Sequence, residues 1–228
     1  MGGVFMRKAR GVATVQGSVV VWGLSVLAWA VAVWGVWVPG HAVGTQVLGV
    51  DMAEAVKFLP AVRGGQIPIW REGFLLPQCT LSFLLSVHAW RRRWPFSTWV
   101  RFLLMVLAMA VALSMLPPAW SPATLRSPEW RLQVAFILVA LGGAILSPLW
   151  RYFPVWVGNT VVLVCGLGTG VVLLRQLPRV WPEFEHVYHT HLPYGPGVGA
   201  VVVGILGLIV LTWATWASSS ASAAREMK

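Results

Sequence analysis

The chain has 228 residues, of which 57% are hydrophobic and only 11% charged, with a formal net charge of +10. Soluble domains carry about a quarter charged residues, and the apolar residues here fall in blocks near the roughly 20 that cross a hydrocarbon core. A nucleic-acid surface needs its basic residues gathered on one folded face. These sit between apolar blocks, so a nucleic-acid-binding domain is excluded and an all-α integral membrane protein is expected.

The N-terminal "MRKAR" and the apolar run behind it resemble a signal peptide. Residues 17–38, however, exceed the 7–15 residues of a cleaved apolar region, and a retained first helix is expected. Six spans are predicted in one polytopic domain, at 18–39, 73–90, 98–117, 131–150, 154–175 and 196–217. Between the first two lies an extracytoplasmic segment, 40–72. Within it "DMAEAVKF" reads as a short helix, with Asp51 as cap, Glu54 at the capping-box position and Pro60 as its stop. Val50, Ala53, Val56, Phe58 and Leu59 give this helix an apolar side suited to the membrane surface or the top of the bundle.

The second span is polar for lipid. Gln78, Thr80, Ser82 and Ser86, with Pro77, predict that it faces other helices, which satisfy those groups. It also carries His88, the one histidine inside a span. "LSPLWRYFPVW" leaves almost no loop between spans four and five and predicts a tight antiparallel hairpin. "LSVHAWRRRWP" (85–95) and "LSPLWRYFP" (146–154) echo each other, each running Leu-Ser, Trp-Arg, Pro at a turn. "GLGTG" at 166–170 lacks the preceding strand and the lysine of a nucleotide loop. Gly166 with Gly170, and Ala200 with Gly204, instead have the small-xxx-small spacing of helix packing. Asn159 and Thr160 are candidates for hydrogen bonds across helices. Cys79 and Cys165 both lie in apolar segments, which argues against a disulfide and against a structural zinc site.

Charge orients the chain. With the N-terminus in the cytoplasm, inside segments hold ten Lys and Arg residues and outside segments seven, and "RRRW" at 91–94 is the strongest anchor. Both termini are expected on the cytoplasmic side of a plasma (inner) membrane. Tryptophan fits the same frame: Trp37, Trp70, Trp120, Trp130 and Trp181 lie near outer span ends, and Trp90, Trp94, Trp99, Trp150, Trp156 and Trp216 near inner ones. Trp29 and Trp34 fall inside the first span and are expected to pack against neighbouring helices.

"EFEHVYHTHLPYGPG" (183–197) gathers His186, His189 and His191 beside Glu183 and Glu185. Imidazoles suit zinc or copper, so the three histidines are a candidate metal set. On a helix His186 and His189 share a face and His191 falls away, so convergence needs an irregular loop or a further ligand such as His41. The competing expectation is a polar loop leading into the last span, with "PYGPG" breaking regular structure. His88 is a candidate ligand for haem or chlorophyll. A bis-histidine haem lacks its second histidine at matching depth, and Leu84 is bulky for a chlorophyll one turn away. No cofactor is therefore expected.

No Asp, Glu or Lys lies in the central part of any predicted span, where coupled transporters and channels carry such groups. No Walker loop, HExxH or nucleophile elbow occurs, so an enzyme is not expected. The pattern is that of a small bacterial multipass protein. The leading expectation is a non-catalytic accessory subunit that contacts lipid and partner subunits of a respiratory, photosynthetic or transport complex. The alternatives are a permease for a neutral or lipidic substrate along Gln78, Thr80, Ser82 and Ser86, and a metal- or pigment-binding membrane protein.

Overall fold

A computed structural model describes residues 2–40, 45–91, 94–118 and 120–226, with side chains described for 17–217. His41, Arg92 and Arg93 lie outside these residues. The chain is an all-α bundle with one small ribbon. Its long elements are α1 (Gly2–Trp34), α4 (Leu76–Ala89), α5 (Thr98–Leu113), α7 (Arg131–Ile145), α8 (Val155–Tyr188) and α9 (Pro196–Glu226). Three short helices, α2 (Met52–Ala55), α3 (Pro60–Arg63) and α6 (Pro122–Arg126), lie in the connections.

Four helices are long and apolar enough to cross a membrane: the Gly17–Trp34 part of α1, Pro128–Ile145, α8, and the Pro196–Ala217 part of α9. Their outer faces expose Leu24, Leu27, Leu138, Val139, Val164, Val202 and Val203 to more than half of their full area. Apolar surface on that scale fits a lipid bilayer environment. The other two predicted spans are shorter helices. The 14 residues of α4 and the 16 of α5 reach only about 21 and 24 Å at 1.5 Å per residue.

Helix α4 is nonetheless the centre of the bundle. It packs against α1, α5, α7 and α8, while α9 closes the far side against α1 and α8. All but two of its 14 residues are buried. Its polar side chains explain the arrangement, because groups that lipid cannot satisfy must meet protein.

Helix α1 ends five residues earlier than the predicted span. Gly35 and Pro39 bracket the β-branched Val36 and Val38, and a residue before proline prefers extended backbone. Strand β1 (Val36–Val38) results, and it pairs antiparallel with β2 (Val47–Leu48). The predicted helix at 51–58 is present as Gly49–Asp51 in 3-10 form, α2, and Val56–Phe58 in 3-10 form. The capping expectation fails here. Helical backbone already begins at Gly49, so Asp51 sits at φ −94°, ψ −7° and makes no side-chain cap. Pro60 opens α3 at its first position, where a missing N–H costs nothing, as well as ending the turn before it.

Helix α8 departs furthest from expectation. The predicted span stops at 175 and a loop follows, yet the helix runs through Pro178 and Pro182 to Tyr188. Its 34 residues measure about 51 Å, well beyond a hydrocarbon core of about 30 Å. Each proline removes one backbone bond. The offset is a continuous buried face, Leu173, Leu177, Val180, Trp181 and Phe184, packed at helical spacing against the rest of the bundle.

Candidate functional sites

Around α4 every hydroxyl of the suspected pathway is spent on a helix neighbour. Thr80 Oγ1 lies 3.0 Å from Thr169 Oγ1 of α8 and donates to Leu76 O. Ser82 Oγ donates to Ala108 O of α5 at 2.9 Å, and Ser86 Oγ donates to Ser82 O at 2.7 Å. The Gln78 amide, correctly oriented, donates to Leu75 O at 3.0 Å. All four side chains are fully buried. Thr80 and Ser82 thus fasten α4 to α8 and α5, while Ser86 and Gln78 bond the backbone of α4 and of the turn before it.

His88 is also enclosed, at 1% exposure. Its Nδ1 lies 2.9 Å from Leu84 O, so that nitrogen carries the proton of the neutral ring and Nε2 is an acceptor. Trp94 and Trp22 stand 5.0 and 6.1 Å from the ring. The Asn159 side chain lies beside it, and neither His88 Nε2 nor Asn159 Oδ1 has a hydrogen-bond partner. A macrocycle on this nitrogen would have to displace the surrounding side chains. Asn159 does bond across helices, with Nδ2 donating to Thr215 Oγ1 of α9 at 2.8 Å. Thr160 does not share this role, because it points outward and is exposed.

The small residues of α8 and α9 receive tryptophan. A Cβ on Gly204 would lie 2.8 Å from Trp29 Nε1, and one on Gly166 would meet Leu208 at 2.6 Å and Trp29 at 3.3 Å. On Gly170 it would meet Ile205 at 2.8 Å, and Ala200 is buried on the same side of α9. Trp29 of α1 is fully buried. Gly166 and Gly204 thus make room for the Trp29 indole, while Gly166 and Gly170 of α8 also pack on Leu208 and Ile205 of α9. Trp34 remains 46% exposed.

The tryptophan belts divide in two. Trp70, Trp99, Trp120, Trp156 and Trp216 are exposed, as headgroup anchors should be. Trp37, Trp94, Trp130 and Trp181 are buried. The indole N–H explains part of this difference, because it can be satisfied by backbone. Trp37 Nε1 donates to Ala32 O at 2.7 Å and Trp181 Nε1 to Leu192 O at 2.9 Å.

The three clustered histidines are separated by the end of α8. His186 is on the helix, and its ring is 6.2 Å from that of His189. His189 is the C-cap, in left-handed backbone at φ 54°. His191 points away to Glu185, at 2.5 Å between Nδ1 and Oε1. Glu185 Oε1 also accepts from Leu192 N at 3.0 Å, which makes this carboxylate the clasp of the turn. Among the described residues no three His, Cys, Asp or Glu side chains are placed to hold one metal ion. Residues 183–188 are helical, so the expected loop before the last helix is confined to 189–195.

A charged cluster joins the 45–75 segment to the segment before α7. Lys57 Nζ is 2.6 Å from Glu129 Oε1, and Arg71 reaches the same oxygen at 3.3 Å and the Glu129 carbonyl at 2.8 Å. Both cations lie over the Trp130 ring, at 4.8 and 4.6 Å. Glu129 is half-exposed, so this ion pair is worth under about 1 kcal/mol. At fixed pH, Glu129→Gln should quicken hydrogen exchange at 122–130 by no more than about fivefold. Unchanged exchange there would show that the cluster does not fasten this segment.

No protein-family model matches the chain, and no curated protein or solved structure matches it.

Proposed function

We propose that this chain is a six-span, non-catalytic membrane subunit, with both termini in the cytoplasm of a plasma (inner) membrane, that works by packing against partner proteins. In this reading α4 and α5 complete the crossing with their flanking turns, and residues 45–75 with the end of α8 form an extracytoplasmic cap. One observation carries the reading. The three hydroxyls and the Gln78 amide of α4, the groups a carrier would use as its pathway, are bound to backbone or to a neighbouring helix. Hydroxyls engaged in this way rigidify a bundle and are not free for a solute.

The cap supplies the contact surface. Phe58 is 70% exposed, and Trp70, Val187 and Tyr194 are each more than 40% exposed. Exposed aromatic side chains favour protein contacts. Photo-crosslinking amino acids at Phe58, Arg179 and Val187 should each give a discrete adduct in native membranes, and purification in mild detergent should recover the same partner. A stable monomer with no adduct at any of the three positions would overturn the proposal.

A further inference from the structure

The two echoed turns meet at the end of the bundle opposite the cap. The first carries Trp90 out of α4 and leads through Phe96 and Ser97 into α5, and the second is the 3-10 turn Ser147–Tyr152. Between them lies a cavity of about 490 Å³, lined by Trp90, Phe96, Ser97, Thr98, Arg101 and Arg151. Two guanidinium groups thus line one cavity, and none of its lining residues is acidic.

Arg101 is held in place. Its Nε donates to Phe96 O at 3.1 Å and one terminal nitrogen to Trp94 O at 3.3 Å, with the cation 6.0 Å from the Trp90 ring centroid. Those bonds use two of its five N–H groups. Among the described residues Arg151 hydrogen-bonds only its neighbour Tyr152, at 2.5 Å. The site therefore offers two guanidinium groups with free N–H donors and no acidic residue in its lining, an arrangement suited to an oxyanion that accepts several hydrogen bonds.

Its surroundings identify the oxyanion's carrier. Trp99, next to the cavity, is 84% exposed, and Tyr152 and Phe153, beside Arg151, are more than half exposed. Exposed aromatics of this kind mark headgroup depth. Phe102 and Val106 follow Thr98 at four-residue intervals along one face of α5, and they are 44% and 56% exposed. That face leads from the cavity mouth into hydrocarbon. We propose that this cavity binds the phosphate group of an anionic phospholipid, with the acyl chains lying along the Thr98–Phe102–Val106 face.

The proposal rests on the membrane-spanning reading and is independent of any partner protein. Full-length protein in detergent is titrated with phosphatidylglycerol, phosphatidylcholine and inorganic phosphate, and binding is read by native mass spectrometry. Phosphatidylglycerol should bind more tightly than phosphatidylcholine. Arg151→Gln should weaken it about fivefold, and Arg101→Gln with Arg151→Gln about 25-fold. Arg179→Gln, on an exposed residue of the cap, should change nothing. Because Arg151 bonds only Tyr152 at the surface, Arg151→Gln should keep the wild-type melting temperature and remain informative if the double variant fails to fold. Equal binding by wild type and Arg151→Gln would overturn the proposal, as would an equal loss in Arg179→Gln. Binding of inorganic phosphate that phosphatidylglycerol cannot displace would keep the oxyanion chemistry but overturn the lipid assignment. Loss of partner crosslinks at the cap would leave all of these readings unchanged.

Discussion

Gly204→Val should destabilise the protein by about 3 kcal/mol, the upper part of the overpacking range. A Cβ at this position would stand 2.8 and 2.9 Å from Nε1 and Cε2 of Trp29, a rigid ring with no exposed surface. The ring has little freedom to yield, because Gly166 of α8 faces it at the same junction. Titration of detergent-solubilised protein with sodium dodecyl sulfate, read by helix content, gives the measurement. Gly199→Val is the control, since nothing lies within 4 Å of its added Cβ in the same helix. It should unfold like wild type. Adding Trp29→Leu to Gly204→Val should recover at least about 1 kcal/mol, because contacting positions couple. Equal losses at 199 and 204 would show that the cost comes from changing any glycine of α9 and not from the slot.

This expectation also shows how far the residues alone carried the reading. Spacing marked Gly166, Gly170, Ala200 and Gly204 as a contact surface, because small side chains at four-residue intervals have few other uses in a membrane helix. It did not reveal the occupant. Nothing local to Trp29 says that its ring crosses to α8 and α9 and not into lipid, since both surroundings are apolar. The polarity of α4 was more informative. Gln78, Thr80, Ser82 and Ser86 tolerate only a protein environment at membrane depth, and from that requirement the helix's central place follows directly.

Helix α8 shows the opposite case. Arg175, Pro178, Arg179 and Pro182 all argue locally for an end to the span, and two prolines within five residues argue against any helix. The tertiary structure overrides them, because Leu177, Val180, Trp181 and Phe184 keep one buried stripe intact across the prolines. That extension separates the histidines. His186 stays on the helix, His189 becomes its left-handed cap, and His191 turns to Glu185. The arginine cavity was equally hidden. Its two halves are 50 residues apart in the chain, and only the packing of the α4–α5 turn on the α7–α8 turn joins Arg101 to Arg151.

Trp37→Ala should cost about 3 kcal/mol, near the lower end for deletion of a buried tryptophan, because lipid cannot enter the slot it leaves. Trp37 is fully buried where α1 passes into β1. A Cβ on Gly197, in the first turn of α9, would lie 2.3 Å from its ring, and one on Gly49 would lie 2.5 Å from its Nε1. Phe74 stands edge-on at 6.4 Å. The one ring therefore joins α1, α9 and the two ends of the 45–75 segment. Trp37→Phe keeps an aromatic ring but loses the 2.7 Å bond to Ala32 O, and should cost about 1 kcal/mol for that hydrogen bond. The two variants should also differ in where order is lost. In Trp37→Ala, hydrogen exchange should quicken across 45–75 and at the start of α9. Helix α5, which packs on α4 and α7, should exchange at the wild-type rate. Uniform acceleration over the whole bundle would mean that the cap and the bundle unfold as one unit, and that Trp37 fastens no separable segment.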